Sequence, residues 1–141
     1  MTDDRVIVYV PGVFDLLHYG HINVIKSARE YGKMVIIGLL TDEAAKEYKN
    51  LPVLTYVQRE IVLREIKGVD IIIPQLHHSL NDNLIKLQPN IVIHGGLLQA
   101  DVKPDTIRIL KEWSGKLIEL PYTEGISTTR LKQALGKEQL L

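Results

Sequence analysis

Val6-Ile7-Val8-Tyr9-Val10-Pro11-Gly12-Val13-Phe14-Asp15-Leu16-Leu17-His18-Tyr19-Gly20-His21 is the stretch whose reading decides the fold. Residues 6–10 are an apolar run of the kind that forms a strand buried on both faces. The run drives into a glycine turn, and a helical pattern opens near His21. Ile22, Ile25 and Ala28 fall on one side of it, Lys26, Arg29 and Glu30 on the other, and Gly32 closes it. A strand, a glycine turn and a helix start together make an anion site. Backbone at Gly12 lets a phosphate come close, and the first N–H groups of a helix lack internal partners and carry partial positive charge. His18 and His21, three apart, share a face in a first helical turn, and Gly20 keeps the backbone near a ligand. Two imidazoles aimed at one point can donate hydrogen bonds to charge building on phosphorus. A lone histidine is most often an ordinary surface or cap residue. H-x-G-H directly after a strand and a turn points instead to phosphoryl-type transfer, which needs positioning and charge stabilisation.

Four further apolar runs rich in Val and Ile follow, at 34–40, 70–73, 90–94 and 116–120; the first run spans 5–10. Helical patterns lie between them. One covers 55–67 behind Thr55. A second opens on Ser79-Leu80-Asn81-Asp82, which reads as a capping box, and stops at Pro89. A third covers 104–113, with Gly115 at its end, and the last runs from a Ser127 cap to 135. The segment after the second strand, around 41–49, reads as a loop and the tail at 136–141 as frayed. This alternation predicts an α/β fold, a Rossmann-like doubly wound five-stranded parallel sheet with helices on both faces, in one domain over residues 1–141. Ligands in such sheets sit beyond the carboxyl ends of the strands, at the topological switch point. The loops that begin near Pro11, Gly95 and Pro121 share that edge. The hydroxyls and N–H groups of 123–129, at the start of the last helix, offer a second phosphate-friendly turn.

Composition narrows the function classes. The 141 residues balance 17 Lys+Arg against 17 Asp+Glu, with a pI near 7.0, so no polyanion-binding surface is advertised and nucleic acid is not an expected partner. There is no cysteine, which excludes disulfides, thiolate catalysis and Cys-ligated metal. His77 and His78 are adjacent, so their side chains diverge, and they read as loop residues rather than metal ligands. Met1-Thr2-Asp3-Asp4 is polar and unlike a signal peptide, and no run approaches a membrane span; a cytoplasmic protein is the expectation.

Gly12-Val13-Phe14-Asp15-Leu16-Leu17-His18-Tyr19-Gly20-His21 resembles the G-x-F-D-x-x-H-x-G-H signature of the cytidylyltransferases, within the wider nucleotidyltransferase superfamily. Tyr122-Thr123-Glu124-Gly125-Ile126-Ser127-Thr128-Thr129 resembles their second signature, R-T-x-G-I-S-T-T. The likeness is to glycerol-3-phosphate cytidylyltransferase-like proteins. The second signature also looks like the cytidylyltransferase domains of phosphonate pathways, as do Gly38-Leu39-Leu40-Thr41-Asp42-Glu43, Ile66-Lys67-Gly68-Val69-Asp70 and the run from Leu110 to Glu119. The resemblance implies transfer of CMP from CTP to a small phosphorylated alcohol or phosphonate with release of pyrophosphate, in a homodimer. It implies that His18, His21 and Lys49 are catalytic, Lys49 reaching the triphosphate. Gly12, Val13, Phe14, Tyr19, Gly20, Gly95 and the second signature would bind nucleotide. Asp15, Lys46, Arg59 and Asn81 would face the acceptor, and Asp70 reads as a structural ion pair. Mg2+ would be carried mainly by the CTP phosphates, since it keeps its waters and needs few protein ligands.

Two positions depart from the pattern. His94-Gly95-Gly96 lacks the carboxylates of G-D-D-W, and Tyr122 replaces the arginine of the second signature. These departures support one rival expectation, a nucleotide-binding module without catalysis; the first signature alone, shared with adenylyl-transferring members of the superfamily, leaves another, an adenylyltransferase acting on a phosphorylated cofactor precursor.

Overall fold

The computed structural model describes residues 5–139, with the side chains of 137–139 left aside; Met1 to Asp4, and Leu140 and Leu141 of the expected frayed tail, lie outside it. Five strands form one parallel sheet: β1 (Ile7–Gly12), β2 (Met34–Leu40), β3 (Ile71–Gln75), β4 (Ile91–Gly95) and β5 (Lys116–Leu120). Their spatial order is β3-β2-β1-β4-β5, so the chain reverses direction across the sheet between β1 and β4. That is the switch point of a doubly wound sheet, where a crevice opens beyond the strand ends.

Alternation along the strands feeds two cores. Val8 and Val10 of β1 pack with Val35, Ile37 and Leu39 of β2 on one face. There they meet Ile25 and Ala28 of α1 (Tyr19–Tyr31) and Leu63 of α3 (Tyr56–Arg64). Tyr9 and Ile36 point to the other face, against Leu84 of α4 (Asn81–Leu87) and Ile109 and Leu110 of α5 (Lys103–Leu110). Both faces of the sheet are therefore covered, which is why its central strands read as continuous apolar runs. Fully buried Tyr9 keeps its hydroxyl satisfied by donating to Gln75 Oε1 (2.6 Å) and accepting from Asn83 Nδ2 (3.0 Å).

Several local expectations are corrected. Helix α1 starts at Tyr19 rather than His21, because His18 is its N-cap. The segment read as a loop after β2 contains α2 (Asp42–Lys46), capped by the Thr41 hydroxyl accepting from the Ala44 amide (3.1 Å). Helix α3 ends at Arg64 rather than 67; its Thr55–Gln58 capping box is formed. Ser79 does not cap α4: Leu80 is the N-cap, with no side-chain bond, and Ser79 Oγ accepts from the nearby Asn81 amide. Helix α5 gives way to a 3₁₀ turn (Lys111–Trp113) closed by Ser114 in the left-handed region. Helix α6 (Thr128–Gln139) continues past 135, so the chain through 139 is helical rather than frayed. Among the described residues no helix is long and apolar enough to cross a membrane.

Candidate active site

The turn between β1 and α1 is built under strain. Phe14 (φ 53°) and Leu16 (φ 50°) both sit in the left-handed region that bulky residues avoid. Asp15 between them holds the turn. Its carboxylate, almost fully buried, accepts from the Val53 amide (2.8 Å) and the Leu54 amide (3.0 Å), with Lys132 Nζ 3.5 Å away. Arg59 fixes the same turn from below. Its guanidinium, with no exposed surface, donates to the carbonyls of Leu54, Val13 and Leu40 and to Asp42 Oδ1 (2.7 Å).

The two histidines cap the helix reciprocally. The Gly20 amide donates to His18 Nδ1 (3.0 Å), and the His18 amide donates to His21 Nδ1 (3.1 Å). A ring nitrogen that accepts carries no hydrogen, so each neutral ring holds its proton on Nε2. The rings lie 4.0 Å apart, and His21 also packs on Phe14. Burial, then the neighbouring His18, pushes His21 down to about 4, and burial also lowers His18. The result is a pair of uncharged Nε2–H donors at neutral pH.

The glycines of the turn serve this arrangement. A Cβ on Gly20 would come within 2.8 Å of the His18 ring, and one on Gly12 within 2.6 Å of Phe14. Their bare backbones make room for the site's own rings.

A cleft of about 350 Å³ opens at the switch point. From the first turn it is lined by Gly12, Val13, Phe14, Asp15, His18, Gly20 and His21. Lys49 borders it after α2, His94 and Gly95 at the end of β4, and Tyr122, Thr123, Ile126, Ser127, Thr128 and Thr129 after β5. Three hydrogen bonds tie the two distant turns together. Asn23 Nδ2 donates to Thr123 Oγ1 (3.1 Å), the Tyr19 hydroxyl to the Glu124 carbonyl (3.2 Å), and the Thr128 hydroxyl to the Asp15 carbonyl (2.8 Å). Ser127 caps α6 by accepting from the Arg130 amide (3.0 Å).

Not every residue named from the sequence reaches the cleft. Tyr19, Glu124 and Gly125 stitch or shape the turns without lining it. Lys46 is exposed on α2 and Asn81 stands away at the start of α4; neither lines the cleft. Arg59 was expected to face the acceptor, but every nitrogen of its guanidinium is engaged internally, so it positions the turn. Asp70 pairs with Arg29 (3.1 Å) and accepts from the Val35 amide (2.8 Å), the structural role expected of it.

Lys132, His94, Tyr48 and Gln99 also line the cleft and were not singled out from the sequence. Lys132 stands five residues past the Ser127 cap, on the next turn of α6. It is close enough to Lys49 to act on it: burial first, then the Lys132 charge, lowers Lys49. His94 Nδ1 donates to the Gly96 carbonyl (2.9 Å), leaving Nε2 as an acceptor. The two departures from the sequence pattern touch each other. Gly96 has φ 87°, and a Cβ there would lie 2.2 Å from the Tyr122 ring.

Comparison with known proteins gives the following. The model of a family described as cytidylyltransferase-like matches residues 9–134. A glycerol-3-phosphate cytidylyltransferase of Staphylococcus aureus is 37% identical over 136 residues, 95% of this chain and 97% of that protein. An ethanolamine-phosphate cytidylyltransferase of Dictyostelium discoideum is 35% identical over 88% of this chain, which spans only 35% of that longer protein. A D-beta-D-heptose 1-phosphate adenylyltransferase of Bordetella bronchiseptica is 30% identical over 94% of this chain and 82% of its own. Among solved structures, a lipopolysaccharide core biosynthesis protein of Thermoplasma volcanium shares the fold, with TM-score 0.69 and 22% identity over 84% of this chain and 96% of that one.

Proposed function

The chain belongs to the cytidylyltransferase-like family, and on that premise we propose that it transfers CMP from CTP to the phosphate or phosphonate oxygen of a small acceptor, releasing pyrophosphate. The observation that carries this reading is the convergence of the His18–His21 pair, Lys49, Lys132 and the Ser127 turn on one cleft at the switch point.

The acceptor oxygen attacks the α-phosphorus, the bond to the β-phosphate oxygen breaks, and its electron pair leaves with pyrophosphate. An acceptor oxyanion is already ionised at neutral pH, so the chain needs no strong general base. His18 and His21 donate from Nε2–H to the non-bridging oxygens on which charge grows. Because both rings are neutral and held by the helix start, they change neither proton nor orientation as they do so. Lys49 and Lys132 hold the triphosphate and steady the departing pyrophosphate. Mg2+ would be carried by the CTP phosphates, where it would offset their charge. The cleft's residues do not themselves make a site for it, since Asp15 already accepts from two amides and faces Lys132. The whole chain acts as one cytoplasmic nucleotide-binding unit, in a homodimer, without nucleic acid or membrane as partner.

A second reading, transfer of AMP from ATP, is favoured by the adenylyltransferase relative. The test is a panel of the four NTPs with Mg2+ and either glycerol 3-phosphate or 2-hydroxyethylphosphonate, read by pyrophosphate release. Turnover with CTP supports the proposal; turnover with ATP in its place supports the second reading.

A further inference from the structure

We infer that His78 is a positioning residue, which holds Lys49 in the cleft by way of the Tyr48 ring. This rests on the reading just given, in which Lys49 grips the triphosphate, and His78 itself does not line the cleft.

Lys49 depends on its neighbours for its place. It follows α2, a helix of five residues that is too short to be stable alone. Its ammonium ends a long, freely rotating stem. Nζ lies over the Tyr48 ring, 5.0 Å from the centroid, so that ring is the surface on which the cation rests.

His78 holds the turn that carries both residues, and it does so twice. Its ring stacks on Tyr48, with centroids 4.0 Å apart and planes 14° from parallel. Its amide donates to Glu47 Oε1 (3.0 Å), one residue earlier in the same turn. The His78 ring is itself fixed: it is nearly buried, and Nε2 faces Asp101 Oδ1 (3.2 Å). Its backbone is anchored in the sheet. Buried Gln75, at the end of β3, donates from Nε2 to the carbonyls of His77 (3.0 Å) and His78 (3.3 Å), and its Oε1 takes the Tyr9 hydroxyl (2.6 Å). Rigid contacts therefore run from the core through Gln75, His78 and Tyr48 to Lys49. A supporting shell of this kind fixes a charged group that its own stem would leave loose.

Pyrophosphate release by the full chain tests this, with CTP, Mg2+ and whichever of glycerol 3-phosphate and 2-hydroxyethylphosphonate turns over faster. His78→Ala should lower kcat/KM for CTP about tenfold and leave the acceptor's KM within about twofold. His78→Phe keeps a flat ring against Tyr48 and should regain most of the loss. In a Lys49→Met background, His78→Ala should cost less than about twofold more, because the group it positions is gone. Should His78→Ala fail to fold, His78→Gln, which keeps a polar side chain and lacks the ring, is expected to show the same loss and the same non-additivity. Four results overturn the inference and leave CTP transfer standing: an unchanged kcat/KM, a loss that falls on the acceptor's KM, no recovery with Phe, or full additivity with Lys49→Met. No CTP-dependent pyrophosphate from the parent chain overturns CTP transfer and the inference with it.

Discussion

The molecule holds two pairs of histidines beyond the carboxyl ends of its strands, one at the start of α1 and one in the loop after β3, and their surroundings set them apart. His18 and His21 are three residues apart and accept backbone amides at Nδ1. His77 and His78 are adjacent and diverge; His77 Nδ1 faces Glu47 (3.0 Å) and His78 Nε2 faces Asp101 (3.2 Å). A carboxylate can only accept, so each of the second pair directs a ring N–H at an internal partner. The first pair spends its lone pairs on the backbone and keeps its N–H groups for the cleft. Spacing along the chain and the identity of the nearest partner, rather than the residue type, decide which pair can serve a phosphate.

The strongest way to break this contrast is substitution. His18→Ala and His21→Ala should each lower kcat on the order of a hundredfold or more, as loss of one donor to a developing oxyanion does. His77→Ala, on an exposed ring, should leave kcat within about twofold. Steady-state pyrophosphate release compares them, and similar losses at positions 21 and 77 would erase the distinction.

The second test uses acid. His21 has an ordinary value of 6.5 when unfolded and about 4 in the folded chain. Between those values the unfolded state binds more protons, so stability falls as pH drops from 6.5 toward 4, on the order of 3 kcal/mol from this ring. His18 contributes with the same sign. Urea denaturation across this range should show a shallower slope for His21→Gln than for the parent; identical slopes would mean that the buried ring is not neutral. The smallest expected effect lies at the edge of the site. Lys132→Met should raise the KM for CTP about tenfold with a smaller change in kcat, and an unchanged KM would remove Lys132 from the triphosphate.

Much of this was legible in the chain. The strands at 34–40 and 116–120 have the limits their apolar runs suggest, and in the first of them burial on both faces leaves little ambiguity. The two signatures share a cleft because topology puts the ends of β1, β4 and β5 on one edge. What escaped has local causes. Helix α2 is five residues long, too short for a periodicity to register. Histidine is a weak cap by propensity, and its capping of α1 needed a second histidine to complete the box. Arg59 has four partners drawn from Val13, Leu40, Asp42 and Leu54, contacts that only the assembled fold brings together. Lys132 lacked a mark because a lysine on a helix after a cap looks like any solvated residue until Asp15 is seen opposite it.

The central claim is that His18 and His21 present neutral Nε2–H groups to the cleft. Long-range proton–nitrogen NMR of the imidazoles measures this directly. The account predicts a bare Nδ1 and a protonated Nε2 on both rings at neutral pH, with His21 keeping that form until the pH nears 4. A proton on Nδ1 of either ring, or a doubly protonated His21 at pH 6, would contradict it.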